Sequence, residues 1–256
     1  MKTDQFENML QQDLAWRKVE ISQLFMILNT SDSKDVVIKS MVLLLYAHWE
    51  GFIKRSSKLY LRYVTEEKIQ TKELTINFHA IKLKECARKC IQEDSKNLAQ
   101  ELSFLNAQNK IEDKKFSCHV DVDNDLDEDI INTGHNLNSK VLKAIIEIVG
   151  SKYNEAMQTR SNYIDSVLLN NRNSIGHAGK MAKNNGNGFE ITYDEVIILK
   201  NFVIMMLDYY SDVLCDYVAD KYYLKCNEQE RLDYEKQKEQ ELKRKISELD
   251  NLRKAV

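Results

Sequence analysis

The chain has 256 residues, 30% charged and 43% hydrophobic, with a formal net charge of −3. That size suits one large domain, or a domain with an appendage. The acidic balance, with a pI near 6.0, argues against bulk coating of nucleic acid, which requires a basic surface to neutralise phosphates.

There is no proline and there are only 7 glycines. Nothing then removes a backbone donor or crowds a preceding turn, so helices can run long, and an all-α fold is expected. The N-terminal "MKTDQFENMLQQDLAWRKVE" lacks the apolar core of a signal peptide. A first helix is predicted from about Asp4 to Leu28, broken by "NTSDS", with Asp32 or Ser33 placed to cap the next. The second helix, "KDVVIKSMVLLLYAHWEGFIKRSSKLYLRYV", is apolar almost all round from Met41 to Phe52, as in the middle of a bundle. His48 and Glu50 interrupt that run. A buried carboxylate needs a partner, and Arg17 is the candidate partner for Glu50. His48 reads as a satisfied core histidine, and Trp16 and Trp49 as packing residues.

Residues 77 to 109 read as one or two further helices. The acidic stretch "DVDNDLDEDIINTGHN" superficially follows a calcium loop through Asp121, Asp123 and Asp125. However, Leu126 replaces the glycine of the sharp turn, and Asn132 stands where the bidentate glutamate belongs. No metal site is expected there. "LNSKVLKAIIEIVG" is a short amphipathic helix stopped by Gly150, and "MQTRSNYIDSVLLNNRNSI" is another, stopped by Gly176 and Gly179. A second long core helix starts near a cap at Thr192 or Asp194. Its stretch from Val196 to Val218 is the most apolar of the chain, but Lys200, Asn201, Asp208, Asp212 and Asp216 break it, so no membrane span is expected. From Asn227 the tail is almost wholly charged, with Leu242, Ile246, Leu249 and Leu252 at helical spacing. It forms either a short coiled coil or a helix packed on the bundle. The division expected is a helical domain over 1–226 and a charged helix over 227–256. The five cysteines (Cys86, Cys90, Cys118, Cys215 and Cys226) include no CxxC pair and read as reduced thiols of a cytoplasmic protein.

The stretch "LLNNRNSIGHAGK", 168 to 180, carries the most chemistry. Asn173 and His177 are four apart and share a helix face. Arg172 is roughly 140° from His177 on an ideal helix. Histidine can accept or give a proton near neutral pH. The planar arginine fork can hold two phosphate oxygens as charge builds. RNA supplies its own nucleophile, the 2′-OH, so such a pair can cleave it without a metal or cofactor. An Arg–His spacing alone is common, and a helix-end histidine beside a solvated arginine accounts for it equally well. Lys180 and Lys183 are either phosphate-steering or ordinary solvated lysines.

The surroundings add to this. "RNSIGH", Arg172 to His177, at the end of a late helix in an all-α chain resembles the Rx4–6H signature of the HEPN superfamily. "LAWRKVEI", "VLLLYAHWEGFIK" and "TGHNLNSKVLKAIIEIVG" resemble one branch of stand-alone prokaryotic HEPN proteins, those of toxin–antitoxin and anti-phage systems. The resemblance runs from about Asp13 to Tyr223. It implies a helical bundle on a four-helix core and a homodimer whose two Arg-Asn-His segments meet in one cleft. It also implies metal-independent endoribonuclease activity by 2′-OH attack, leaving a 2′,3′-cyclic phosphate. Arg172 and His177 carry over as catalytic residues, and Asn173 as the residue orienting His177 or the phosphate. Glu50 matches a polar position in an earlier helix, and Arg17 and Glu20 lie in the matching N-terminal segment. The implied partners are RNA and an antitoxin or defence-system protein. The chain departs from the pattern at Ala178, where glycine is frequent, and at Gly176, where alanine is common. No tyrosine follows at the spacing used for silencing by nucleotidylation. The competing reading is a non-catalytic interaction module that binds a partner protein or nucleic acid.

Overall fold

The computed structural model describes residues 1–92, 98–124, 126–134, 136–176 and 191–255. Within them the fold is all-α: α1 (Thr3–Thr30), α2 (Lys34–Glu66), α3 (Ile76–Gln92), α4 (Ala99–Glu112), α5 (Ser139–Ile148), α6 (Glu155–Gln158), α7 (Asn170–Gly176), α8 (Tyr193–Ala219) and α9 (Glu228–Ala255). Only two isolated β-bridges occur among the described residues.

The long elements follow from the absence of proline. α1 and α2 form a hairpin, α8 packs against both, and α7 closes the core against α2. Leu10, Leu14, Ile21, Met41, Leu45, Trp49, Phe52, Val203 and Leu207 are fully or almost fully buried between them. α2 is buried nearly all round beyond Phe52, where Ser56 and Ser57 replace large side chains. Their hydroxyls bond the carbonyls of Phe52 and Ile53 one turn back, and Ser57 also meets the Tyr210 hydroxyl of α8 at 2.7 Å. Among the described residues, α2 is also the helix that is long and apolar enough, by composition, to cross a membrane, and half of its most apolar window is buried inside the bundle. It is the central core helix. α8 begins with a capping box, Thr192 with Glu195, which satisfies two end donors. Gly150, at φ +87°, ends α5 in the left-handed conformation that glycine tolerates.

One expectation changes. The stretch before the motif is not one α-helix from Met157 onward. α6 is a single turn, and residues 163 to 169 (Tyr163–Leu169) form a π-helix running directly into α7. There the Asn170 N–H bonds Asp165 O, five residues back. Such wide turns accommodate an extra residue and often sit at functional sites.

The calcium-like stretch is organised by cations of α2. The Lys58 ammonium, with its side chain almost wholly buried, donates to the carbonyls of Asp121 (3.1 Å) and Asn124 (2.8 Å) and lies 3.7 Å from the Asp127 carboxylate. Arg55 binds Asp123 at 2.7 Å, and Lys54 binds Glu128 at 3.0 Å. Cations of α2 therefore hold this stretch, Lys58 through backbone carbonyls and Arg55 through the Asp123 carboxylate. Asp125 lies outside the described residues.

The tail helix packs on the bundle. It is rich in strong helix formers and carries Glu239–Lys243 and Glu241–Lys245 pairs one turn apart. Leu242 and Ile246 are buried, and Leu249 is partly buried against the core; the side chain of Leu252 lies outside the described residues.

Candidate active site

The site is built where α7 crosses α2. On α2, Tyr46 is 2% exposed, and Glu50 lies one turn further on the same face. Residues 136 to 138, in the connection just before α5, pass over Tyr46. The Leu137 N–H donates to the Tyr46 hydroxyl at 2.7 Å, and the Glu50 carboxylate lies near enough for its charge to act on that hydroxyl. Burial, and then the Glu50 charge, push the Tyr46 phenol up to about 12. Tyr46 is therefore neutral, and its hydroxyl bridges from α2 to the loop.

Arg172 lies on that bridge. Its guanidinium carbon sits 4.8 Å from the centre of the Tyr46 ring, a cation–π contact worth about 1 kcal/mol. Nη1 donates to Asn136 Oδ1 at 3.3 Å and to Asn173 Oδ1 at 2.8 Å. Among the described residues, Nε and Nη2 make no hydrogen bond, so one edge of a preset fork remains for an anion. The motif helix grips the same connection a second time. Asp165 in the π segment accepts from the Ser139 N–H (2.7 Å) and hydroxyl (2.6 Å), next to Asn138, whose side chain caps α5. Arg172 and Asp165 thus clasp residues 136 to 139 from one helix, with Tyr46 holding the middle.

Tyr46→Phe keeps the ring beneath Arg172 but removes the acceptor of the buried Leu137 N–H. A loss of about 1–3 kcal/mol in urea unfolding is expected; an unchanged midpoint would show that the bridge is not holding the connection.

Residues 6–223 match a family model described as MAE_28990-like HEPN. The chain belongs to the HEPN superfamily. No match was found among curated proteins or among solved structures. HEPN domains are generally related to ribonucleases, and the match takes in α2, the 136–139 connection and the Arg172 helix.

The Arg–His spacing singled out in the sequence runs from Arg172 to His177. That residue, with Ala178, Gly179, Lys180 and Lys183, lies outside the described residues, whereas Arg172 and Asn173 lie in α7. Arg172, Asn173 and Glu50 come together around Tyr46. Arg17 does not join them. It pairs with Asp13, one turn back on α1 (Nε to Oδ2, 3.0 Å), and stacks on Trp16 with 4.7 Å to the ring centre. Its Nη1 is 3.5 Å from His48 Nδ1, and it would crowd any side chain at Gly51, where an added Cβ would fall 2.8 Å away. His48 and Gly51 are about 200° and 140° around α2 from Tyr46. Arg17 therefore occupies the opposite face of the helix, and the Arg17–Glu50 pairing is replaced by Arg17–Asp13.

His48 is buried, as a core histidine should be, but it belongs to this second polar cluster. Its Nε2 is 3.0 Å from Glu20 Oε2, within ion-pair range though off hydrogen-bond geometry. Burial, and then the Arg17 charge, lower its pKa. Trp49 is fully buried, whereas Trp16 is half exposed over Arg17 and His48.

Tyr46, Asn136 and Asp165 were not singled out from sequence as site residues. Tyr46 carried one usable signal, a phenol one helical turn before an isolated carboxylate. Asn136 carried none beyond its place in "NLNS". Among the described residues, no group of three or more His, Cys, Asp or Glu side chains is arranged to hold a metal ion.

Proposed function

We propose that this HEPN protein is a metal-independent endoribonuclease. In this reading Arg172 holds the scissile phosphate and His177 transfers the proton during 2′-OH attack, giving a 2′,3′-cyclic phosphate. The observation that carries it is the mounting of Arg172: stacked on Tyr46 and bonded through Nη1 alone, its remaining fork edge is ready for a phosphate before substrate arrives. Asn173 is assigned to orienting Arg172, and Glu50 to anchoring Tyr46.

A homodimer with a composite site fits the adjoining surface. Leu43 and Ala47 are exposed on α2 at the spacing that continues to Glu50, so an apolar stripe leads directly to the site. A second copy seated there would bring two Arg172 segments together. A toxin or anti-phage effector held in check by a partner protein is the biological role proposed.

Purified protein should cleave single-stranded RNA in EDTA and leave cyclic phosphate ends. His177→Ala should lower the rate by about 10²–10⁴-fold with an unchanged far-UV spectrum. Equal cleavage by that variant would sink the assignment.

A second reading, a non-catalytic interaction module, is favoured by α4 and its cap. Leu98, Leu102 and Leu105 are all more than half exposed along one face. That stripe suits a partner helix. Harmless expression in cells and no cleavage by the wild-type protein would select this reading.

A further inference from the structure

α9 lies beyond the family match, which ends at residue 223, yet it tracks the whole segment that leads into the Arg172 helix. At its start, Arg231 donates to Gly150 O at 3.0 Å. One turn on, the buried Glu235 carboxylate accepts from the Ser151 hydroxyl and the Lys152 N–H, both at 3.0 Å, and from the Tyr217 hydroxyl. Glu239 lies 3.6 Å from the Lys152 ammonium, and Lys243 binds Glu155 at 3.1 Å. Near its end, Asp250 binds the guanidinium of Arg160. From Glu235 to Asp250 the helix advances about 22 Å, so its contacts run in order along the stretch from Ser151 to Arg160.

The last contact differs from the others in what it touches. The Arg160 carbonyl accepts from the Ile164 N–H at 2.9 Å, a four-residue bond in the turn that leads into the π-helical segment. The same residue therefore seats the first turn of the motif helix through its backbone and reaches α9 through its side chain. Arg160 Nε is buried with no hydrogen-bond partner among the described residues, so Asp250 carries the compensation of that guanidinium. Ile246 and Leu249 line a small cleft with Tyr163, the first π-helical residue, and with Phe202 of α8. The Tyr163 and Phe202 rings meet edge to face at 5.0 Å. A π segment relies on tertiary contacts more than an α-helix does, since its hydrogen-bond geometry is uncommon. What grips its first turn governs where Asp165 and Arg172 come to rest.

We infer that α9 is a positioning element for the Arg172-bearing helix, acting through Asp250 on Arg160. The consequence for cleavage rests on the ribonuclease reading; the mechanical link does not. Asp250 is half exposed, so Asp250→Ala spares the core.

In the full-length chain, Asp250→Ala should speed hydrogen exchange at the amides of residues 164 to 172 by about tenfold while leaving α1 and α2 unchanged. It should lower kcat for RNA cleavage by about tenfold with KM within about twofold, as expected for a misplaced catalytic group. The charge-swapped double variant, Arg160→Asp with Asp250→Arg, should restore slow exchange and kcat together. Unchanged exchange at 164 to 172, equal acceleration throughout the bundle, or failure of the swap to restore slow exchange would each overturn the inference. If the wild-type protein cleaves no RNA, the ribonuclease reading falls, and the exchange measurement by itself decides the link between α9 and the motif helix.

Discussion

Arg172→Lys is expected to lower kcat/KM for RNA cleavage by about 10²–10³-fold, the loss typical of removing one preset donor from a developing anion. Lysine keeps the charge and can still rest over the Tyr46 ring, 4.8 Å from the guanidinium carbon in the native site. What it loses is the planar fork. Nη1 is spent on Asn136 and Asn173, and only a guanidinium has further nitrogens, held in the same plane, to turn toward a phosphate. A single ammonium must choose between the asparagines and the substrate. The fold should scarcely respond, because Arg172 is partly exposed and its contacts lie at the edge of the bundle. Steady-state cleavage of a labelled RNA, with thermal unfolding as the control, separates the two effects. A lysine variant as active as the wild type would mean that charge alone suffices and that the mounting on Tyr46 has no catalytic part.

The largest expected stability effect lies away from the site. Lys58→Met retains the aliphatic stem but removes the ammonium that binds the Asp121 and Asn124 carbonyls and faces Asp127. Truncating one partner of a buried charge network typically costs about 3–5 kcal/mol, and a loss in that range is expected in equilibrium urea unfolding. Burial tends to raise the Asp127 carboxyl pKa, but the N–H groups of Asp121 and Asp129, together with Lys58, hold it below the ordinary value. A depressed carboxyl pKa contributes stability above about pH 4, and that stability is lost as pH falls through the lowered value. The methionine variant should therefore lose part of the wild-type acid sensitivity as well as overall stability. An unchanged midpoint would show that the acidic stretch contributes nothing to holding the bundle.

Composition and periodicity were enough for the helical class, the positions of α1, α2 and α8, and the placing of Arg172 on a helix before α8. Those features depend on near neighbours: the absence of proline, apolar residues at three- and four-residue spacing, and caps such as Thr192. The same rule explains Arg17. A carboxylate one turn away on its own helix, Asp13, meets it with little added loss of chain freedom, so a partner sought on α2 was the wrong distance along the chain. Tyr46–Glu50 is again a one-turn pair and was within reach of the same logic.

Tertiary structure decided everything that joins distant segments. Asn136 reaches Arg172 across 36 residues, and Asp165 holds Ser139 across 26. The π-helical turn between Asp165 and Arg172 is invisible to side-chain periodicity, because it is a property of which carbonyl each N–H finds. The acidic stretch resembled a metal loop because spacing shows which oxygens can converge and not what they converge on. The ammonium that gathers its backbone carbonyls sits 63 residues before Asp121, on α2. Local pattern names the groups that must be paired, and only the packing of helices brings their partners within the few ångströms over which hydrogen bonds and buried charges act.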